Sequence, residues 1–203
     1  MKIRGISDIE YFTKGHRGIL YTGRCRGRKV VIKAKLPESE AVGRIENEGN
    51  WLKRLNKKGI GPMLITASKE YFVYEFVKGD FICEFVEKSD KPKIVKLLRN
   101  ILDQCFVLDQ QKADKEEMHH PVKHIIVTAR GKAVMLDFER THIDLNPKNV
   151  TQFCQFLIST RFGGLLKEKM IKIDRKKLIE SARKYKKCQN KKMLSKIKKE
   201  IKQ

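Results

Sequence analysis

The chain has 203 residues, 40% of them hydrophobic and 34% charged, and its 46 Lys and Arg against 24 Asp and Glu give a formal net charge of +22. That length allows one domain, or a two-lobed domain with an appendage, and the apolar share is enough for a real core. No apolar run approaches bilayer length, the opening MKIRGISDIE lacks a signal-peptide core, and the five cysteines are scattered without a C-x-x-C pair; the composition thus excludes a membrane span, argues against a zinc ribbon or disulfide framework, and predicts a soluble cytoplasmic protein.

In chain order, TKGHRGIL (13–20) is a glycine-bearing stretch ahead of the first strong strand, KVVIKAK (29–35), which alternates and is β-branched. SEAVGRIENEGNWLKRLNKKGIGP (39–62) follows with helical periodicity, Val42, Ile45, Trp51, Leu52 and Leu55 falling near one face. Glu40, Glu46 and Glu48 crowd its early turns, Lys57 and Lys58 its last, and Gly59 and Pro62 mark the stop. MLITAS and YFVYEFV read as strands with a KE turn between them. From Pro92, Ile94, Leu97, Leu98, Ile101, Leu102, Cys105 and Leu108 recur at helical spacing. HIIVT-ARGK-AVMLDF reads as a hairpin, and VTQFCQFLIS as a buried helix.

The end of the chain is different in kind. Residues 166–203 carry 16 Lys and Arg against 4 Asp and Glu, more than half of the net charge. Leu178, Ile179, Ala182 and Tyr185, then Met193, Leu194, Ile197 and Ile201, predict two basic amphipathic helices capped by Asp174 and Asn190. Such a surface favours polyanions, RNA or ribonucleoprotein among them, although charge alone also fits a merely solvated face. The element order as a whole predicts an α+β chain.

Several motifs in this order resemble those of protein kinases. Gly15 and Gly18 stand at the last two glycines of a phosphate-covering G-x-G-x-x-G loop, with Thr13 at the first. Taken alone, a simple glycine-bearing hairpin is the commoner explanation of such a stretch. In VIK (31–33), Lys33 is flanked by Val31, Ile32 and Ala34, unusual surroundings for a strand lysine. Glu48 shares a helix face with Leu52 and so points into the fold, which makes it the partner expected for Lys33; Glu46 is the solvent-side residue. YEFVKGD (74–80) resembles a kinase hinge, where adenine would bond to the backbone of Glu75 and Val77.

Two stretches compete for the catalytic loop. HIDLNPKN (142–149) has the letters H-x-D-L-x-x-x-N, yet it lies after LDFE (136–139), the counterpart of the metal-binding D-F-G, whereas kinases have the opposite order. A hairpin fits between His124 and Asp137, thirteen residues apart, so spacing selects EMHHPVKH (117–124) instead. His119 then occupies the position of the catalytic Asp and His124 that of the metal-binding Asn, with Glu117 as a nearby alternative carboxylate. HIDLNPKN reads as a helix start capped by Asn146 with Pro147 in its first turn, Asp144 remaining as an alternative catalytic residue. Zinc at His119, His120 and His124 is disfavoured, since Pro121 interrupts the helix that i, i+4 spacing requires.

On Gly15 and Gly18, VIK, Glu48 with GIGP, YEFVKG, HPVKHIIV and LDFER, the chain from about Ile6 to Gly164 resembles the small atypical kinases: the RIO family, the kinase subunit of the tRNA threonylcarbamoylation complex, and above all the short archaeal predicted Ser/Thr protein kinases with a D-F-E-R motif. The resemblance implies a two-lobed protein-kinase-like fold with a reduced C-lobe and a basic helical C-terminal extension, divided as 1–77, 78–165 and 166–203. It implies ATP and Mg²⁺ or Mn²⁺, with Asp137 and His124 at the metal and a protein substrate. Histidines at the catalytic Asp and Asn positions leave a second reading open, a pseudokinase-type nucleotide- or RNA-binding module without turnover.

Overall fold

The structure is a computed structural model, and it describes residues 2–15, 18–36 and 43–201. The chain divides into two compact units: Met1–Val77 with Met135–Arg140, and Lys78–Val134 with Thr141–Gln203. The α+β class expected from the sequence holds, and among the described residues no helix is long and apolar enough to cross a membrane.

The first unit is built on a five-stranded antiparallel sheet in the order β1-β2-β3-β5-β4, formed by β1 (Ser7–Lys14), β2 (Gly18–Cys25), β3 (Arg28–Lys35), β4 (Leu64–Ala67) and β5 (Tyr71–Glu75). β3 is central and buried on both faces, as its β-branched run requires. Val30 and Ile32 pack with Val73, Ile3 and Ile6 on one side. Helix α1 (Arg44–Asn56) buries Ile45, Trp51, Leu52 and Leu55. Glu40 and Val42, assigned to that helix from the sequence, lie outside the described residues.

Two glycines explain how α1 meets the sheet and how it stops. Gly49 is buried in mid-helix, where a Cβ would come within 3.1 Å of the Ala67 Cβ, so the missing side chain lets the helix approach the strands closely. Past the C-terminus, Gly59 and Gly61 both take positive φ, 72° and 80°. The Asn56 side chain holds that turn, donating to the carbonyls of Ile60 and Pro62 and accepting from the Leu64 amide at 2.7 Å.

The second unit is mainly helical. Strand β6 (Gly79–Phe81) pairs with β8 (Ile125–Thr128), which forms the predicted hairpin with β9 (Ala133–Met135). Gly79 is dictated by that pairing, because a Cβ there would lie 2.2 Å from the Val127 carbonyl oxygen. A short helix, α2 (Ile82–Lys88), precedes α3 (Lys91–Gln110), whose N-cap Asp90 accepts from the Lys93 amide. The predicted apolar stripe of α3 is buried, and Gln104 ties it to the hairpin through the Ala133 carbonyl at 2.9 Å. A two-residue ladder joins β7 (Ala113–Asp114) to β10 (His142–Ile143).

Four helices complete the unit: α4 (Asn149–Leu157), α5 (Thr160–Glu168), α6 (Arg175–Lys187) and α7 (Lys191–Lys199). Phe156 stacks on Phe162 at 4.1 Å between centroids, joining α4 to α5. The basic helices are capped as expected, Asp174 accepting from the Lys177 amide and Asn190 from the Met193 amide. Their apolar stripes are buried at Leu178, Tyr185, Leu194, Ile197 and Ile201, so the basic segment is packed into the second unit.

One cap is corrected. Asn146 does not cap α4, which begins at Asn149. The amides of Asn149 and Val150 instead donate to the buried carboxylate of Asp109 on α3, a cap supplied through space by another helix. Asn146 is held outside the helix, its amide donating to Asp144 Oδ1 at 2.8 Å.

Candidate functional site

In the first unit, side chains alternate along β3, and Lys33 lies opposite Phe72 of β5, the residue that also neighbours Gly49 of α1. Lys33 therefore projects toward the helix-covered face. Glu48, one residue before Gly49, meets it there: Lys33 Nζ donates to Glu48 Oε2 at 2.6 Å. Glu48 is buried, and its second oxygen accepts from the Phe138 amide at 3.1 Å. The segment 135–140 brings two more carboxylates, Asp137 at 3.1 Å and Glu139 at 3.7 Å from the same ammonium. Asn47 fastens that segment by donating to the Glu139 carbonyl at 3.0 Å.

One ammonium thus faces three carboxylates. Burial alone would lower the Lys33 pKa, but Glu48, Asp137 and Glu139 outweigh it and hold the group above the ordinary lysine range. Burial pushes the Glu48 carboxyl up, while Lys33 and the Phe138 amide pull it down; with an ammonium at 2.6 Å and an amide on the other oxygen, it is a carboxylate. Asp137 has a positive φ of 61°, a left-handed conformation that Asp tolerates better than most residues.

Oxygens of Glu48, Asp137 and Glu139 lie within 4.8 Å of one another, a spacing open to a metal ion. Glu48 is the most deeply buried of the three, with both oxygens held by Lys33 and the Phe138 amide, so Asp137 and Glu139 are the more accessible carboxylates. Two hard carboxylate donors fit Mg²⁺ or Mn²⁺.

The glycines stand where β1 turns into β2. Gly15 donates to the Gly18 carbonyl at 2.9 Å, and His16 and Arg17 between them lie outside the described residues. A Cβ on Gly18 would sit 3.0 Å from the Ala34 carbonyl oxygen and 3.5 Å from Lys33 Cγ, so the hairpin mouth lies against the strand that carries Lys33. Thr13 is paired in the ladder opposite Leu20. Of the two hinge residues, Glu75 uses its amide on the Met63 carbonyl at 2.9 Å and its side chain on Arg28 at 2.8 Å. Val77 is the last residue before the second unit begins.

In the second unit, Glu117 and His124 are brought together, His124 Nδ1 lying 3.1 Å from Glu117 Oε2. The fully buried Lys115 places its ammonium 3.8 Å from the same oxygen. His119 does not join them: its ring is exposed and its Nδ1 lies 3.0 Å from the Glu116 carbonyl oxygen. Asp144 ties a local turn, accepting from the Asn146 amide and lying 3.9 Å from Lys148.

Asn149, the last letter of HIDLNPKN, is fully buried in a different network. Its Nδ2 donates to Asp109 Oδ1 at 2.7 Å and to the Ala113 carbonyl at 2.6 Å, while its Oδ1 accepts from the Lys115 amide. Tyr185 of α6 closes the network, donating to Asp109 Oδ2 at 2.8 Å. Burial pushes the Asp109 carboxyl up to about 6 against the pull of these donors.

Glu139 and Lys115 join these clusters without a sequence signal: Glu139 stands where D-F-G has its glycine, and no local pattern shows that Lys115 is buried.

The fold and cluster define an α+β protein with a buried Lys–Glu pair beside a carboxylate-lined metal-compatible site. No family model matches the sequence. It is 30% identical over 116 residues, 56% of this chain and 98% of the relative, to the uncharacterized protein MJ1211 of Methanocaldococcus jannaschii. The chain belongs to the family of that protein.

Proposed function

We propose that the protein is an atypical Ser/Thr protein kinase with a two-lobed kinase-like fold, transferring the γ-phosphoryl group of ATP to a hydroxyl in a cytoplasmic setting. The observation that carries this reading is the buried contact of 2.6 Å between Lys33 and Glu48, with Asp137 at 3.1 Å from the same ammonium. A structural ion pair needs one carboxylate, whereas Lys33 faces three, a set of hard oxygens suited to a divalent cation that accompanies phosphates.

In this reading Lys33 binds the α- and β-phosphates and Glu48 fixes its direction. The amides of the hairpin at Gly15 and Gly18 cover the phosphates, and the backbone of Glu75 and Val77 receives the adenine. Asp137, with Glu139, would hold Mg²⁺ or Mn²⁺, which when bound supplies charge neutralisation at the β- and γ-phosphates. Glu117 takes the role of orienting the acceptor hydroxyl and accepting its proton; the contacts it makes with Lys115 and His124 favour it over His119.

A second reading, nucleotide binding without turnover, draws on the exposed His119 at the usual catalytic Asp position. Incubation with γ-labelled ATP, in Mg²⁺ and separately in Mn²⁺, separates the two. Wild type is expected to release or transfer label, and Asp137→Ala and Glu117→Gln to lose that activity. Absence of transfer from wild type in both metals would overturn the kinase reading and leave the binding module.

A further inference from the structure

The basic helices carry their cations on the side away from their buried stripes, and one part of that surface is a formed groove. It lies between α4 and α6, has a volume of about 510 Å³, and belongs wholly to the second unit. Four exposed cations line it: Lys148 at the start of α4, and Arg175, Arg183 and Lys186 along α6. No Asp or Glu is among its lining residues. Lys148 lies 3.9 Å from Asp144, whereas Arg175, Arg183 and Lys186 pair with no carboxylate among the described residues. Arg175 is fixed across the groove end, donating to the Ile158 carbonyl at 3.0 Å.

The wall opposite is polar without being charged, with Thr151, Gln152, Gln155 and Ser159 offering hydroxyls and amides. Its deeper part is made by Leu178, Ile179 and Ala182. No aromatic side chain lines the groove.

We propose that this groove binds the sugar–phosphate backbone of double-helical RNA. Each feature selects for that ligand. Cations without carboxylates select a polyanion. From Arg175 to Lys186 the positive stripe runs for about 16 Å of helix axis, long enough to follow several phosphates and too long for one. The lack of aromatic side chains removes the stacking platform on which unpaired bases are held, which favours a ligand whose bases are already stacked within a duplex. Amides and hydroxyls beside the cations suit the 2′-hydroxyls that line the shallow groove of an A-form helix. Recognition by such a surface follows shape and charge, with no base sequence read.

The site goes beyond the basic segment identified from sequence, since Lys148 stands at the N-cap of α4 and Gln152 and Gln155 lie on that helix. It is independent of phosphoryl transfer, and its test contains no ATP. Fluorescence anisotropy with an RNA hairpin of about 12 base pairs should show binding by the full chain that weakens as salt rises, with a log–log slope of about −3 to −4 for four cations. Arg183→Glu with Lys186→Glu should weaken binding at least tenfold and reduce the slope by about 2. Arg130→Glu with Lys132→Glu, an equal charge change at the exposed turn of the β8–β9 hairpin, should change it less than threefold. Circular dichroism and thermal unfolding of both variants show whether the fold is retained; should the α6 pair fail to fold, Gln152→Glu with Gln155→Glu on α4 tests the same groove.

An equal loss in the groove and hairpin variants would overturn the proposal in favour of diffuse charge attraction. Tighter binding of single-stranded RNA, of a DNA duplex of the same sequence, or of a polyglutamate peptide would each overturn the assignment to duplex RNA.

Discussion

Each unit buries a polar network, and the two networks differ in how their charges balance. In the second unit, the Asp109 carboxylate receives the amides of Asn149 and Val150, the Asn149 side chain and the Tyr185 hydroxyl. Its donors come from α4 and α6 and converge on one residue of α3, so the network joins three helices. In the first unit, one ammonium, that of Lys33, faces the three carboxylates of Glu48, Asp137 and Glu139. A carboxylate enclosed by neutral donors from two other helices specifies packing, whereas carboxylates clustered round one lysine suit a divalent cation.

Substitutions can break this contrast. The largest effect is expected at Lys33→Met, which leaves the buried Glu48 without its counter-ion. Removal of one partner of a buried pair costs about 3–5 kcal/mol, measurable by urea unfolding. Phosphoryl transfer should fall by about 10²–10³-fold, the scale seen when one preorganised charge-stabilising donor is removed. Adding Glu48→Gln should restore part of the stability and none of the transfer, a separation that a purely structural pair would not give.

Asn149→Ala attacks the other network. It strands the Ala113 carbonyl and the Lys115 amide and takes one of two donors from Asp109 Oδ1, which keeps the Asn149 amide, for an expected loss of about 2–4 kcal/mol in urea unfolding. If the network is structural, ATP affinity of the folded variant stays at the wild-type value.

Titration sharpens the comparison further. The Asp109 pKa is raised in the folded state, to about 6 from an ordinary value of 3.8. The folded chain therefore holds this proton more tightly than the unfolded chain, and the resulting contribution to stability is full below pH 3.8 and lost as pH rises through about 6. Asp109→Asn removes that dependence, so the difference in unfolding free energy between wild type and variant should change by about 2–3 kcal/mol across the window. The smallest effect is expected at Tyr185→Phe, about 1–2 kcal/mol for one hydrogen bond to a charged group, with ring packing retained.

Periodicity made much of this legible in the sequence. The α3 stripe, the caps Asp174 and Asn190, and the inward direction of Glu48 follow from local rules of helix spacing and backbone satisfaction. Local rules failed where a distant residue supplied the partner. Asn146 has the right letters for a cap, but Asp109, forty residues before Asn149, reaches the helix amides first. Gly79 lies within the stretch that resembles a hinge, and the structure adds a requirement no local rule shows, the close approach of the Val127 carbonyl. Lys33 and Asp137 were legible one by one, while the addition of Glu139 to their cluster depends on a turn at positive φ that sequence spacing does not encode.

The most direct measurement is isothermal titration calorimetry of Mg²⁺·ATP with wild type, Lys33→Met and Asn149→Ala, each shown to be folded at the temperature used. The account predicts binding by wild type and Asn149→Ala with similar affinity, and none by Lys33→Met. Wild-type affinity in Lys33→Met, or loss of binding in folded Asn149→Ala, would contradict the assignment of the Lys33 cluster to function and the Asp109 network to packing.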